Sequence, residues 1–434
     1  MNRMVVVVII VIAATLMASM SGIVDASPPR STPAVTFGVN QQRSGLVPYN
    51  GTIPTGQVFE FQIKAMTSPV YTTSDGFLLV AASGTTAAPV LQCAAYYGKY
   101  NFVNFPSFLT NVTFVGIPSL SNDYRAYIVV SAPAWSGMVV FSHTCNPLYA
   151  LDLQSPSLSM SPIVLADNSV VVSAGNQLRM IANSSDPIGG VTLWSTTIDE
   201  GPVSSVGLAL SADNSTGVLF VSYSTSYRGQ YSVCVQALAP LGDGKVGFSP
   251  LWTQRIGASE GSYCGNQPFC SLTPVLCGSQ VLIVTSDSVS AFDQASGRSL
   301  WSYSGSFSGD YHQPACHPSG MVVVVDSNSN VLAFLPKDNN PTPPELWRRS
   351  TGAFQVVRAP VIDAVGNIYV IGGASRPTDP DNPKLLMFDY TGTLLITRGL
   401  RVPTSTLSDP RFISQPVVLT NRILVGVGSL IQLS

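Results

Sequence analysis

Charged side chains are scarce in this chain, and their scarcity excludes several classes of protein. Only 10% of the residues are charged, against about a quarter in an average globular protein. Lys, Glu and Arg usually fill the exposed faces of helices, so a chain that has few of them favours another fold class. The formal net charge of −2 gives no electrostatic basis for binding nucleic acid or an anionic membrane. Glycine and proline are plentiful instead, at 36 and 32 residues, which favours turn-rich β structure.

The sequence also lacks the short motifs that are typical of common catalytic sites. It contains no glycine-rich phosphate loop, no Gly-x-Ser-x-Gly turn and no His-Glu-x-x-His pair. The segment 376–383 offers oxygen donors for calcium, but it has neither the glycine nor the distal glutamate of an EF-hand loop. We interpret it as a solvated insertion between two strands.

A repeated Leu-Trp pair is the strongest positive feature of the sequence. Four of the five tryptophans occur in it, spaced by 58, 49 and 46 residues, as Trp194, Trp252, Trp301 and Trp347. The clearest copy, residues 273–301, contains four short apolar or alternating runs with turn residues between them. This pattern predicts a four-stranded antiparallel blade of a β-propeller. The four tryptophans are then expected to pack between neighbouring blades.

Prolines that open apolar runs allow the blades to be counted. Proline is tolerated as the first residue of a strand, and one unit without proline begins near Val206. The prolines are Pro69, Pro133, Pro162, Pro274, Pro314, Pro360 and Pro416. Residues 55–434 are therefore predicted to form one all-β domain, an eight-bladed β-propeller of four-stranded antiparallel blades, with seven blades as the alternative. The second unit is expected to lack a full outer strand.

Third strands are marked by a small residue, an aromatic residue and an aspartate. The pattern occurs at 291–293 and 387–389, and Tyr149–Asp152 is assigned to it as well. Asp293 and Asp389 are expected to bond their own turns rather than to carry catalysis. The last unit supplies only three strands, whereas residues 55–61 resemble an outer strand. We therefore predict that Val58 to Ile63 completes the C-terminal blade and closes the ring, which removes an open sheet edge.

The N-terminus resembles an export signal. Arg3 precedes an apolar run at 5–12, and cleavage is predicted after Ala26. Residues 1–26 are thus expected to be a signal peptide and 27–54 an N-terminal extension of a secreted protein. The alternative is a signal anchor, in which residues 4–24 hold the protein in the membrane. Export would let four sequons carry glycans, at Asn50, Asn111, Asn183 and Asn214.

Seven cysteines would meet an oxidising compartment after export, and their odd number leaves one outside a pair. The pairs expected are Cys264 with Cys270, in one loop, and Cys277 with Cys316, across adjacent blades. A zinc site that combines these cysteines with nearby histidines is the less favoured alternative, because the spacing matches no standard finger. Three polar residues of one cluster are weak candidates for a loop site at the mouth of the ring: Asp310, His312 and His317.

The order Pro-Val, apolar second strand, Ala-Phe-Asp, Gly and Leu-Trp resembles the repeat of pyrroloquinoline quinone (PQQ)-type propellers. The same repeat occurs in non-catalytic relatives such as the bacterial outer-membrane assembly lipoprotein BamB. The resemblance implies a propeller fold across the chain after the signal. The family's dehydrogenases hold PQQ with a calcium or lanthanide ion and a catalytic aspartate, often beside a disulfide of adjacent cysteines. This sequence has no adjacent cysteines and no recognisable ligand set, so no catalytic residue is carried over.

These observations favour an exported, glycosylated, non-catalytic propeller that binds or scaffolds a protein or glycan partner, because long loops usually carry function. Neither a cofactor nor a metal is expected on this interpretation. The alternative is a divergent PQQ-dependent quinoprotein oxidoreductase that acts on alcohols or sugars with PQQ and calcium. An assembly factor like the bacterial lipoprotein is less favoured, because no lipobox cysteine follows the signal.

Overall fold

A computed structural model describes the strands between residues 59 and 114 and most of residues 119–433. The gaps after residue 119 are 122–124, 133–134, 143–145, 155–161, 183–189, 199–207, 214, 228–229, 243, 259–272, 308–312, 337–339, 353, 357, 375–382, 401–414, 420–421 and 427–429. Every regular element among the described residues is a β-strand. These strands form antiparallel sheets of four or five strands, which we number as blades in chain order.

The first half of the chain contributes β1 and blades 1 to 4. β1 is Phe59–Phe61. Blade 1 comprises β2 (Tyr71–Thr72), β3 (Leu78–Ala82), β4 (Val90–Ala94) and β5 (Tyr100–Asn104). Blade 2 comprises β6 (Thr113–Phe114), β7 (Ser119–Leu120), β8 (Ala126–Ala132), β9 (Trp135–Phe141) and β10 (Pro147–Asp152). Blade 3 comprises β11 (Ile163–Val164), β12 (Val170–Ala174), β13 (Gln177–Ile181) and β14 (Thr192–Thr197). Blade 4 comprises β15 (Ala209–Ala212), β16 (Leu219–Tyr227), β17 (Gln230–Pro240) and β18 (Phe248–Ala258).

The second half contributes blades 5 to 8. Blade 5 comprises β19 (Val275–Cys277), β20 (Gln280–Val284), β21 (Ser288–Asp293) and β22 (Ser299–Ser304). Blade 6 comprises β23 (Ala315–Cys316), β24 (Val322–Val325), β25 (Asn330–Phe334) and β26 (Glu345–Ser350). Blade 7 comprises β27 (Phe354–Val356), β28 (Val361–Ile362), β29 (Ile368–Ala374), β30 (Lys384–Phe388) and β31 (Leu394–Gly399). Blade 8 comprises β32 (Val417–Leu419), β33 (Arg422–Gly426) and β34 (Leu430–Leu433), together with β1.

The hydrophobic core lies between successive blades. The middle strands are apolar on both faces, as in the fully buried run Val322–Val325, because each sheet is covered by a neighbour on either side. One strand from each of blades 2 to 7, the inner strand, contacts the inner strands of its neighbours in series: β7, β11, β15, β19, β23 and β28. They therefore line the axis, and their N-terminal ends lie at one mouth, since every blade runs outward in the same strand order. The all-β propeller prediction is confirmed.

Three of the tryptophans lie where an outer strand meets the next blade. Trp347 in β26 packs on the turn that joins β30 to β31, and its indole N–H donates to the carbonyl of Tyr390 at 2.9 Å. A Cβ placed on Gly392 in that turn would lie 2.6 Å from the Trp347 ring. Trp252 contacts Gly297 of blade 5 in the same way. Only glycine lets a flat ring approach the backbone so closely.

Trp194 repeats this contact at the interface between blades 3 and 4. Its ring lies against Gly247 and meets the Phe248 ring edge-on, with centroids 5.4 Å apart. Trp301 departs from the pattern. It is 3% exposed, but its indole N–H donates to the side-chain oxygen of Gln280, at 2.9 Å within its own blade.

Three predictions for blade 2 were wrong. Pro133 does not open an inner strand, because it lies between β8 and β9, where Ala132 pairs with Trp135. The inner strand is β7, which directly follows Pro118 and contacts β11. Blade 2 does not lack its outer strand, which is β10, and Tyr149–Asp152 belongs to that outer strand rather than to a third strand. Proline suits a turn as well as the start of a strand, so local sequence does not distinguish the two.

β1 lies on the edge of blade 8 that was predicted for it. It pairs antiparallel with β34, and Phe59 lies opposite Gln432, Glu60 opposite Ile431 and Phe61 opposite Leu430. Val418, Ile423 and Val425 of blade 8 pack on the core of blade 7. Of the predicted segment 58–63 the structure describes residues 59–61, and closure of the whole ring remains a prediction.

Candidate functional site

The aspartates that follow third strands serve their own turns. The Asp293 carboxylate accepts hydrogen bonds from the hydroxyl and the backbone N–H of Ser296, at 2.6 and 2.8 Å, and these two bonds lower the pKa of Asp293 below its usual value. Burial acts to raise the pKa of Asp389, but bonds from Thr391 and Thr393 outweigh it and lower that pKa. A carboxylate bonded in this way stays ionised and rigid. Both aspartates are therefore turn residues, as the sequence indicates.

His317 directly follows β23, whereas Asp310 and His312, the other two candidates of its cluster, lie outside the described residues. One ring nitrogen, Nδ1, contacts Ser319 Oγ at 2.9 Å. The other, Nε2, is 3.2 Å from the carbonyl oxygen of Ala364 in blade 7. His317 thus bridges blades 6 and 7 through its ring, and its grouping with Asp310 and His312 stays a prediction.

The structure joins Cys277 to Cys316 in a disulfide between the inner strands of blades 5 and 6, with a Cα–Cα distance of 5.7 Å. This is the pairing that the sequence favours. A zinc site that used these two sulfurs is thereby excluded, since a disulfide sulfur is not a thiolate ligand. Within the described ranges, no group of three or more His, Cys, Asp or Glu side chains is placed to hold a metal ion.

Several predicted features lie outside the described residues. They are the cysteine pair Cys264 and Cys270, the four sequon asparagines, the signal segment, and residues 376–382 of the segment that offers oxygen donors for calcium. Among the residues that the structure does describe, no helix is long and apolar enough to cross a membrane.

The mouth where the inner strands begin carries buried polar side chains in blades 5 to 8. Thr273, Gln313, Arg358 and Gln415 precede the inner strands of these blades and are 1–5% exposed. The Gln415 amide reaches back across the interface to the carbonyls of Ala359 and Pro360, both at 3.4 Å. Polar side chains gathered at one end of a ring axis give this mouth the chemistry of a candidate binding site.

Gln313 is the most unusual member of this set. Both its amide nitrogen and its amide oxygen are buried without a hydrogen-bond partner. A buried amide left in this state costs about 1–3 kcal/mol per group, and such groups normally meet a bound water or ligand. Sequence reasoning missed this residue. The recurrence of a glutamine before the inner-strand proline, at Gln313 and again at Gln415, is the signal that it offered.

Blade 4 has the longest strands of the described residues, and they extend at the same mouth. β16, β17 and β18 contain 9, 11 and 11 residues, whereas the strands of blade 5 contain at most 6. Ser222 pairs with the first residue of the inner strand, and β16 and β17 continue to pair beyond it as far as Tyr227 opposite Gln230. At about 3.3 Å per residue, this extension, the blade 4 arm, carries β16 roughly 15 Å past the start of the inner strand. The second strands of blades 2 and 7 run equally far past theirs, but there they pair with β6 and β27.

Comparison with known proteins identifies the fold but not the activity. No family model and no curated protein matches the chain. Solved structures do match. The Dos1 propeller has a TM-score of 0.58 at 9% identity, over 88% of this chain and 94% of that chain. The WD40 domain of SCAP from fission yeast has a TM-score of 0.53 at 10% identity, over 87% and 97%.

A third solved structure is an enzyme, the dihydro-heme d1 dehydrogenase NirN in complex with DHE. Its TM-score is 0.53 at 12% identity, and the match covers 78% of this chain and 67% of that chain. At such identities these likenesses show a β-propeller and nothing finer, because propellers host unrelated functions.

Proposed function

We propose that this chain is an exported, glycosylated propeller of the PQQ-like repeat type, and that it acts as a non-catalytic binding or scaffold module for a protein or glycan partner. The observation that carries the proposal is the blade 4 arm. In this arm, β16, β17 and β18 continue past the body of the blade, at the mouth where the inner strands begin. Paired strands that extend beyond a packed core form a rigid projection, and partner binding commonly uses such projections from a stable scaffold.

The body of blade 4 is complete without the arm. Phe220, Val235 and Ala237 lie in the cluster that packs blade 4 on blade 5, and Trp252 secures the same interface through its bond to the Gln294 carbonyl, at 2.8 Å. Val233, opposite Ser224, still belongs to this cluster, and the pairs from Thr225 outward lie beyond it. An element that the blade does not need for its own packing is available for a partner.

The covalent features agree with export. Disulfides persist in oxidising compartments, and Cys277–Cys316 is one. Asn183 and Asn214 fall between β13 and β14 and between β15 and β16, connections at the end of the blades remote from the arm. Glycans on these two sequons would leave the arm uncovered.

Three contacts of a tryptophan with the next blade's glycine turn support the PQQ-like assignment, because they join the Leu-Trp strand of one repeat to the glycine turn of the following repeat. Membership of that repeat type does not require catalysis. The fold of the Dos1 propeller and of the WD40 domain of SCAP, both of which the chain matches above a TM-score of 0.5, is compatible with a partner-binding role.

A glycan placed at the tip of the arm tests the proposal. The substitutions Arg228→Asn and Gln230→Thr create the sequon Asn-Gly-Thr between β16 and β17. The control, Asp243→Asn with Lys245→Thr, creates the same tripeptide between β17 and β18, at the opposite end of the same blade. Mass spectrometry confirms that each glycan is attached, and melting curves confirm that both variants fold.

Partners are then cross-linked to the secreted protein in its own extracellular medium and identified by mass spectrometry. The proposal expects a partner that the wild type and the control retain and the arm-tip variant loses. A set of cross-linked partners that is the same for all three proteins would refute binding at the arm.

A second candidate function, a quinoprotein oxidoreductase, is favoured by one observation. Gln313 and Arg358 are buried polar groups at the mouth, and an amide with a guanidinium suits the carboxylates of an anionic cofactor such as PQQ. Melting the secreted protein with and without PQQ plus calcium separates the candidates, because a ligand that binds only the folded state raises the melting temperature. A clear rise, with reduction of a dye by alcohols or sugars, would overturn the non-catalytic proposal.

A further inference from the structure

Tryptophan rings on glycine turns secure three of the five interfaces between blades 2 and 7 in the described part of the chain, through Trp194, Trp252 and Trp347. At the interface of blades 2 and 3, a Cβ on Gly190 would first meet Ile181 of its own blade, at 2.3 Å, and then the Tyr149 ring, at 3.3 Å. Among the four interfaces that a Leu-Trp strand faces, the one between blades 5 and 6 is the exception.

The exception has a local cause in blade 6. The connection from β25 to β26 spans residues 335–344 and contains no glycine, whereas the connection from β21 to β22 spans only 294–298 and includes Gly297. The longer connection therefore has no glycine on which an aromatic ring could pack closely. Trp301 accordingly bonds Gln280 of its own blade, and the Ser302 N–H donates to the Pro341 carbonyl at 2.9 Å.

The disulfide lies at this same interface. Cys277 and Cys316 belong to β19 and β23, the inner strands of blades 5 and 6. Both half-cystines pack in the hydrophobic cluster that the two blades share, together with Trp301 and Phe334. Nearer the outer edge of the blades, the centroids of the Tyr303 and Phe334 rings lie 4.6 Å apart. The Tyr303 hydroxyl forms hydrogen bonds with the exposed side chains of Glu345 and Arg348. Exposed polar contacts of that kind add little to stability.

We propose that the Cys277–Cys316 disulfide is a redox-dependent clasp that replaces ring-on-glycine packing at this one interface, so that its reduction loosens blades 5 and 6 selectively. A dithiol supplies the reducing equivalents. Its thiolate attacks one sulfur to form a mixed disulfide, and its second thiol then displaces the other. Two electrons and two protons pass to Cys277 and Cys316, and the reductant leaves as a cyclic disulfide.

Hydrogen exchange read by mass spectrometry tests this clasp on the full secreted chain. Three samples are compared: the oxidised protein, the protein treated with dithiothreitol, and the Cys277→Ser, Cys316→Ser double variant. We expect amide exchange in β19, β22 and β23 to accelerate by about tenfold or more in the second and third samples, because local opening controls exchange. Exchange in β28, β30 and β31, which belong to blade 7, should change much less.

Dithiothreitol reduces any other disulfide too, so the double variant is also measured with it. The clasp predicts no further acceleration in β19, β22 and β23 when the variant is treated. Acceleration spread evenly over all blades, or none at all, would overturn the proposal. If the double variant fails to fold, the comparison of oxidised and reduced wild type decides alone, with the free thiols of Cys277 and Cys316 verified by alkylation.

Discussion

Replacing Gly392 by alanine should destabilise the propeller far more than the same change at Gly278. Both glycines have positive φ, +81° and +60°, so in each case alanine is forced into a left-handed conformation that costs about 1–2 kcal/mol. At Gly278 no atom lies within 4 Å of the new Cβ. At Gly392 the Cβ would meet three atoms of the Trp347 ring, at 2.6, 2.9 and 3.0 Å.

The difference between the two variants therefore measures the packing of the ring. Overfilling a packed site costs about 1–3 kcal/mol, and displacing the Trp347 indole from the Tyr390 carbonyl removes a hydrogen bond worth about 0.5–1.5 kcal/mol. We expect Gly392→Ala to lose about 3–6 kcal/mol of unfolding free energy and Gly278→Ala about 1–2 kcal/mol.

Urea unfolding followed by tryptophan fluorescence measures both values, since the indole concerned is itself the probe. A double-mutant cycle with Trp347→Leu sharpens the test. Once the ring is gone, Gly392→Ala should cost little more than Gly278→Ala, because two residues in contact do not act additively. Equal losses in the two single variants would refute the claim that ring-on-glycine packing secures the interface.

Two further predictions concern the turns and the N-terminal strand. Because hydrogen bonds hold the folded pKa of Asp389 below its unfolded value of about 3.9, its carboxylate stabilises the fold fully above that pH and less as pH falls through the lower folded pKa. The gap in melting temperature between wild type and Asp389→Asn should therefore shrink in acid, and a gap independent of pH would contradict this. Deleting residues 27–63 removes β1 from the edge of β34 and should lower the melting temperature, whereas deleting residues 27–54 should not. An equal effect of both deletions would argue against a role for β1.

Much of the blade structure could be predicted from the sequence, because its causes are local. A proline at the start of a strand and a glycine in a tight turn act within a few residues of themselves. This is why Pro274, Pro314 and Pro360 each stand directly before an inner strand in the structure. The same reasoning failed at Pro133, where the local preference of proline permits a turn equally well.

The missed features depend on residues far apart in the chain. The Leu-Trp pair at Trp301 is indistinguishable in sequence from the other three, and its ring is diverted by the length of a connection in the next blade. Nothing in the local sequence distinguishes Gln313, because the lack of hydrogen-bond partners for its amide depends on the residues that surround it after folding. The blade 4 arm gives no sequence signal of its own, because its alternating residues simply continue a strand.

The leucine of three of the four Leu-Trp pairs is exposed, which shows that the interface between blades, rather than the surface, determines this repeat. Leu193, Leu251 and Leu346 are 42–49% exposed, although leucine gains nothing from contact with water. Each of these leucines is the extra, unpaired residue of a β-bulge, and the bulge re-aims the side chains around it, so that the tryptophan faces the next blade while the leucine stays exposed. The repeat is thus set by the contact of the ring with the following turn. Where that turn changes, at blade 6, the covalent bond between Cys277 and Cys316 joins the inner strands instead.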